Sequence, residues 1–129
     1  MSARILDGEA FAARVHGETS ARVARCQQRG VTPGLVFIRV GEDPASRAYV
    51  SRKEKRAQEV GIASRTLVLP ESTSLPTLLK EIDGLNADPK VHGILIQSPL
   101  PAGLPNDVVY ARVSPAKDVD GFHPVNFGK

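Results

Sequence analysis

Phe11, Val15, Thr19 and Val23 recur every four positions, the spacing of a helix that turns one face toward a partner. This pattern predicts a helix from Glu9 to Gln28, ended by Gly30. Leu35-Val-Phe-Ile-Arg-Val40 then breaks the helical period. It is short, rich in β-branched residues and bounded by Pro33-Gly34 and Gly41, so it predicts a buried strand. A second helix starts at Asp43-Pro44, where the missing proline N–H costs nothing, and stops at Gly61. Its expected inner side carries Ser46, Tyr49, Val50, Lys53, Ala57 and Val60.

The alternation continues. Ser64 to Leu69 reads as a strand, and Ser74 caps a third helix (Leu75 to Asn86) with Leu78, Leu79, Ile82 and Leu85 on its apolar side. Gly93 to Ile96 is a third strand, followed by the stiff loop Gln97-Ser-Pro-Leu-Pro101. A short helix from about Pro105 to Arg112 leads to Pro115 and Lys117-Asp-Val-Asp-Gly121. Strand and helix in turn predict an α/β fold, a three-layer open and mainly parallel sheet with flanking helices. In such sheets ligands bind beyond the carboxyl ends of the strands. Gly41 to Ser46 and Gln97 to Pro101 both lie directly after strands, so both motifs are expected on one rim.

Composition narrows the partners. The 129 residues suit one domain, and 41% apolar with 24% charged residues is ordinary for a globular chain. The single cysteine, Cys26, excludes an internal disulfide and fits a reducing compartment. A net charge of +3 and a pI near 9.3 raise nucleic acid as a partner. The positive residues are scattered, however, and the one cluster, Arg52 to Arg56, is interrupted by Glu54. Aromatics are only 5%, without tryptophan, so stacking platforms for bases are lacking and no nucleic acid is expected. A small polyanionic ligand fits the balance better. No run approaches the ~18 apolar residues of a membrane span. The opening Met1-Ser-Ala-Arg-Ile-Leu-Asp-Gly8 has no signal-peptide core and is expected to enter structure at once, which leaves the cytoplasm as the default.

Candidate chemistry gathers at Tyr49 and Lys53, four apart and therefore on one helical face. An aromatic ring beside a primary amine suits a flat, aromatic, weakly acidic ligand whose protons must be handled. Lys53 shares the apolar side, so it is expected to be desolvated, which favours the neutral amine, a general base. Tyr49 reads equally well as a core aromatic. Asp118 and Asp120 flank Val119 and point to one side of an extended segment. They could form a solvated turn, read an amino-pyrimidine edge or pair with a lysine. No further oxygen ligands follow at regular spacing, so no metal is expected. Gln97 opens a loop whose Pro99 and Pro101 donate no backbone hydrogen bonds, leaving carbonyl acceptors or simply a strand exit. His16, His92 and His123 stand alone and read as structural or solvated. Neither a G-x-G-x-x-G nor a P-loop spacing occurs, so no cofactor-binding residue is expected in this chain.

Three long segments carry a resemblance. Val40 to Ile62, containing Gly41-Glu-Asp-Pro-Ala-Ser-Arg-Ala-Tyr49 and Lys53, is similar to the substrate-binding helix of the bifunctional methylenetetrahydrofolate dehydrogenase/cyclohydrolases (FolD type). Gly93-Ile-Leu-Ile-Gln-Ser-Pro-Leu-Pro101 and Pro115 to Gly128 resemble that family's other two signatures, and Ile5-Leu-Asp-Gly8 is also similar. The resemblance spans essentially the whole chain, in order. It implies that Lys53 is the general acid/base of a cyclohydrolase step and that Gln97 hydrogen-bonds and holds it. It further implies that Tyr49 stacks on the aminobenzoyl ring of a tetrahydrofolate-derived substrate and that Asp120 binds the pterin edge. Ser46, Pro99 and Leu100 would line the same pocket. The implied reactions belong to one-carbon metabolism and supply purine biosynthesis: hydride transfer from 5,10-methylenetetrahydrofolate to NADP, then hydrolysis of the methenyl cation to 10-formyltetrahydrofolate.

The chain departs from the family in two places. Family members commonly have leucine where Ser98 stands, so an apolar contact near the pterin is expected to be lost, with a modest effect on affinity. They also continue beyond Asn126-Phe-Gly-Lys129 into a Rossmann-type domain that binds NADP and forms a homodimer. Residues 1–129 are therefore expected to be the folate-binding catalytic domain alone, without dehydrogenase activity. The alternative is a folate-binding or dimerisation module without turnover.

Overall fold

The computed structural model describes residues 3–128. Met1 and Ser2 of the opening segment and Lys129 of the closing one lie outside the described residues. Eight elements follow one another: α1 (Gly8–Gln28), β1 (Gly34–Val40), α2 (Pro44–Glu59), β2 (Ala63–Leu69), α3 (Leu75–Ala87), β3 (Gly93–Ile96), α4 (Asn106–Arg112) and α5 (Pro124–Phe127). Helix starts are set by short polar side chains. Asp7 accepts from the N–H of Glu9 at 3.0 Å and of Ala10 at 3.1 Å. Asp43 and Ser74 do the same for α2 and α3, each followed by a proline in the first turn. The first two helices end at a left-handed glycine, Gly30 (φ +79°) after α1 and Gly61 (φ +89°) after α2.

The three strands form one parallel sheet in the order β2-β1-β3, with Val36 opposite Arg65 on one side and Ile94 on the other. Alternation along β1 divides the core into two faces. Val36, Ile38 and Val40 pack with Leu78, Ile82 and Leu85 of α3 and Val109 of α4. Phe37 packs on the other face with Val50 of α2 and Leu95 of β3. Arg39 points to that second face and is buried, and its Nη1 donates to the Gly41 carbonyl at 2.5 Å and to Glu42 at 3.4 Å. A cation inside a strand thus holds the turn that leaves it. Helix α2 is also tied to β2, because Thr66 Oγ1 donates to Glu54 Oε2 at 2.8 Å. Helix α4 is fastened to α3 by the forked pair Arg112–Asp83, with both nitrogen–oxygen distances 2.6 Å.

Three expectations change. The predicted inner stripe of α1 is buried only at Val23, while Phe11 and Val15 are exposed. The helix docks through its carboxyl end, where Gln27 Nε2 reaches the Gly61 carbonyl at 3.4 Å, and its first turns project from the sheet. Residues 3–7 form no regular element, with Ile5 and Leu6 exposed, so among the described residues the first element begins at Gly8, later than the sequence suggested. A last helix turn, α5, is absent from the elements that periodicity predicts. His123 caps it through Nδ1, which accepts from Val125 N at 3.1 Å, and Pro124 starts it. Among the described residues no helix is long and apolar enough to cross a membrane.

Close approach fixes Gly34 at the start of β1, where an added Cβ would run into the backbone carbonyl oxygen of Lys90. Gly34→Ala is expected to lower unfolding free energy by about 1–3 kcal/mol, the usual cost of overpacking. Urea titration of the variant checks this; an unchanged midpoint would show that the Lys90 turn yields freely.

Candidate active site

Parallel pairing of β1 with β3 brings their carboxyl ends side by side, so the loops after both strands meet. The Gln97 N–H still belongs to the sheet, donating to the Ile38 carbonyl at 2.9 Å, and the chain then turns away through the cis Ser98-Pro99 peptide. Lys53 Nζ, from the third turn of α2, donates to Gln97 Oε1 at 3.1 Å. Gln97 Nε2 donates in turn to the Ser98 carbonyl at 2.8 Å. Ser46 Oγ, at the start of α2 and buried, donates to the same carbonyl at 3.3 Å. Ser46, Lys53, Gln97 and Ser98 are thereby joined into one hydrogen-bonded chain between α2 and the exit of β3.

Lys53 is exposed, which corrects the expectation that it is desolvated. Ser46, Val50 and Ala57 occupy the buried line of α2, whereas Lys53 reaches past the end of β3 and none of the described elements covers it. Tyr49 is 55% exposed, so it is not a core aromatic; its ring lies one turn from Lys53, with the Arg52 guanidinium 6.0 Å from the ring centre. The helix therefore presents an uncovered ring and an uncovered amine next to each other.

The second strand-like segment completes the rim. Ile94 N donates to the Lys117 carbonyl at 2.8 Å, and Asp118 bridges to Ile94 in parallel sense, so the Lys117–Asp120 segment runs along the open edge of β3. Val119 sits against Gly93, its Cγ1 only 2.7 Å from where a Cβ would stand. The two aspartates then divide their work. Asp118 accepts from Gly121 N (3.0 Å), His123 N (3.0 Å) and Asn126 Nδ2 (3.1 Å), shaping the turn that follows. Burial pushes the Asp118 carboxyl up, but these hydrogen bonds outweigh it and hold the group below its ordinary value. Asp120 makes no such bonds to the described residues. Desolvation raises its carboxyl above the ordinary value, the Asp118 charge adds to the rise, and the nearby Lys53 ammonium opposes it. Asp120 is thus the carboxylate left open toward Lys53.

Not every candidate joins this group. Pro99 and Leu100 line a separate cleft of about 370 Å³ with Gly41, Glu42, Asp43 and Glu71, and Leu100 also packs on the core. Another cleft, of about 630 Å³, opens at the amino ends of the strands beside Gly34, Arg65 and His92, away from Lys53. His92 is spent on the backbone there, its Nδ1 accepting from Gly34 N at 2.9 Å. Two residues that the sequence did not single out matter for the site's shape. Lys117 Nζ donates to the carbonyls of Leu85 (3.1 Å), Asn86 (2.7 Å) and Asp88 (2.8 Å), capping α3 and anchoring the acidic segment. Tyr110 shares a hydrogen bond with the Ser98 hydroxyl. The Ser98 side chain therefore faces α4, where the sequence suggested only a missing apolar contact. A lysine at the head of an acidic loop was a visible signal; a tyrosine on a short helix was not.

Residues 6–120 match the family described as tetrahydrofolate dehydrogenase/cyclohydrolase, catalytic domain. Among curated proteins, the chain is 54% identical over 127 residues to the bifunctional protein FolD of Geotalea uraniireducens, covering 98% of this chain and 45% of that protein. Among solved structures it is similar to the bifunctional FolD enzyme of Campylobacter jejuni (TM-score 0.95, 40% identity, 97% of this chain and 44% of that one). It is also similar to the Trypanosoma brucei FolD enzyme complexed with NADP cofactor and inhibitor (TM-score 0.91, 33% identity, 99% of this chain and 44% of that one). The chain thus spans about 45% of the length of the relatives it matches.

Removing the amine of Lys117 leaves three carbonyls without their shared donor, so Lys117→Met is expected to cost about 1.5–3 kcal/mol, measured by denaturant unfolding. Asp118 is held below its unfolded value of 3.8, so its contribution to stability is present above that pH and is lost as pH falls through the folded value. Asp118→Asn is expected to lower the urea midpoint at pH 7, with the deficit shrinking as pH falls below 3.8; a deficit that does not change with pH would contradict the assignment.

Proposed function

The chain belongs to the tetrahydrofolate dehydrogenase/cyclohydrolase catalytic-domain family, and we propose that residues 1–129 form the folate-binding catalytic domain of a methylenetetrahydrofolate dehydrogenase/methenyltetrahydrofolate cyclohydrolase. The observation that carries the proposal is the 3.1 Å hydrogen bond from Lys53 to Gln97 between an uncovered tyrosine and an uncovered aspartate. A bicyclic pterin joined to an aminobenzoyl ring asks for three contacts at once. Tyr49 offers its face to the ring, and Asp120 offers acceptor oxygens to the amino-pyrimidine edge. Lys53 stands between them, where the bridging one-carbon unit would lie.

Hydrolysis of a methenyl cation needs a proton removed and a proton returned. Water adds to the cationic carbon, the carbon–oxygen bond forms and the attacking water gives up a proton. Breaking one carbon–nitrogen bond then requires a proton on the departing nitrogen, while the new hydroxyl gives up its proton to solvent as the formyl carbonyl forms, so that one proton is released overall. A single amine can carry out both transfers, acting first as base and then as acid. Gln97 holds Lys53 Nζ through its carbonyl oxygen, because its amide nitrogen is already directed at the Ser98 carbonyl. Ser46 pins that carbonyl from the other side.

The dehydrogenase half uses NADP, and these residues do not fit a dinucleotide. A pyrophosphate would need the glycine-lined start of a helix after a strand. The start of α2 is instead closed by its own carboxylate, with Asp43 Oδ2 2.7 Å from Ser46 N, and the exit of β3 is lined by prolines. Dinucleotide binding is assigned to residues outside 1–129, as is formation of the homodimer. The lone Cys26 supports assignment to the cytoplasm.

The exposure of Lys53 favours one rival, a folate-binding module without turnover. Methenyltetrahydrofolate hydrolysis by the chain, with the buffer rate subtracted, separates the two. Lys53→Gln is expected to slow it on the order of 100-fold, about 2.7 kcal/mol, while folate binding is kept. Folate binding with no rate above buffer in the parent would leave the binding module standing.

A further inference from the structure

Ser98 is where two hydrogen-bonded systems meet. Its carbonyl accepts from Gln97 Nε2 at 2.8 Å and Ser46 Oγ at 3.3 Å, on the Lys53 side. Its hydroxyl pairs with the Tyr110 hydroxyl at 2.5 Å, on the α4 side. Tyr110 is half-buried and packs against the core that also holds α3 and β1. Its ring centre lies 5.1 Å from that of Phe122, the planes inclined by 36°. Phe122 follows Asp120 by two residues, and Asp118 grips the backbone N–H on both sides of it, at Gly121 and His123. One tyrosine therefore touches both loops of the site, the Gln97 loop with its hydroxyl and the Asp120 loop with its ring.

The consequence concerns the amide of Gln97. A carbonyl only accepts, so the Ser98 carbonyl draws the Nε2 end of the amide and leaves the Oε1 end for Lys53. If the Ser98 backbone shifts, that orientation keeps only one of its two anchors, the hydrogen bond from Lys53 itself, and the amide no longer holds Lys53 in a fixed place. The Tyr110 hydroxyl restrains the Ser98 backbone through its side chain. We propose that Tyr110 is a positioning residue, which sets the Gln97 amide for Lys53 through Ser98 and the distance between Gln97 and Asp120 through Phe122. The kinetic part of this rests on the folate reading; the structural part does not.

The two contacts should separate experimentally. Tyr110→Phe keeps the ring and removes the hydroxyl, so kcat for methenyltetrahydrofolate hydrolysis is expected to fall about 10-fold with KM nearly unchanged. Phe122→Leu removes the ring partner of the Asp120 loop, so KM is expected to rise with kcat kept. Ser98→Ala, which leaves the core alone, should reproduce Tyr110→Phe, and the double variant should be no slower than either single one. Equal losses in kcat and KM for both tyrosine and phenylalanine changes, or multiplying losses for Ser98→Ala and Tyr110→Phe, would overturn the proposal. A second readout needs no turnover: the side-chain amide NMR signals of Gln97. They are expected to move in Tyr110→Phe and in Ser98→Ala, with backbone signals of α2 and β1 in place. Unmoved Gln97 signals in both would overturn the proposal as well. Should the parent chain neither bind nor hydrolyse the folate, the folate reading fails and the NMR result alone decides whether Tyr110 sets Gln97.

Discussion

Parallel pairing on both sides of β1 is the constraint from which the site follows. The central strand is buried on both faces, and its register with β3 places Ile38 opposite Ile96, so β3 leaves the sheet beside the last two residues of β1. What emerges after them, the Gly41 turn leading to α2 and the Gln97 loop, is thus brought within hydrogen-bonding reach. The 3.1 Å contact between Lys53 and Gln97 spans 44 residues of sequence. Parallel strands require crossover helices, and α2, the crossover between β1 and β2, is the element that carries Ser46, Tyr49 and Lys53.

Around that constraint the polar groups are sorted by task. Arg39 and Asp43 hold the turn into α2, and Lys117 and Asp118 hold the acidic segment against the free edge of β3. Each has its hydrogen bonds satisfied by nearby backbone. Among the described residues, Asp120 and Tyr49 have no hydrogen-bond partner for their side chains, and Lys53 has Gln97 alone. Side chains left open within a rim of satisfied ones are available to a ligand, and their types suit a flat molecule with a hydrogen-bonding edge and a proton to exchange.

Much of this was legible in the sequence, because the elements are punctuated by strong local signals. Helix starts at Asp43 and Ser74 and helix stops at Gly30 and Gly61 fall where the residue types placed them. The convergence of the two loops followed from their places directly after strands of a parallel sheet. Two things were not legible. Solvent exposure of Lys53 depends on where α2 ends relative to β3, which no helical period encodes. The partnership of Ser98 with Tyr110 joins a loop to a short helix twelve residues on, and neither residue type announces a partner. Likewise the spacing of Phe11 and Val15 foretold a buried face that the described residues leave exposed, since periodicity records that a face is apolar and not what covers it.

The central claim is that Lys53 and Gln97 act as one unit. A double-mutant cycle on methenyltetrahydrofolate hydrolysis, combining Lys53→Gln with Gln97→Ala, tests it most directly. If Gln97 works by holding Lys53, the double variant should be no slower than Lys53→Gln alone. If the two losses multiply, Gln97 serves the reaction independently and the account is wrong at its centre.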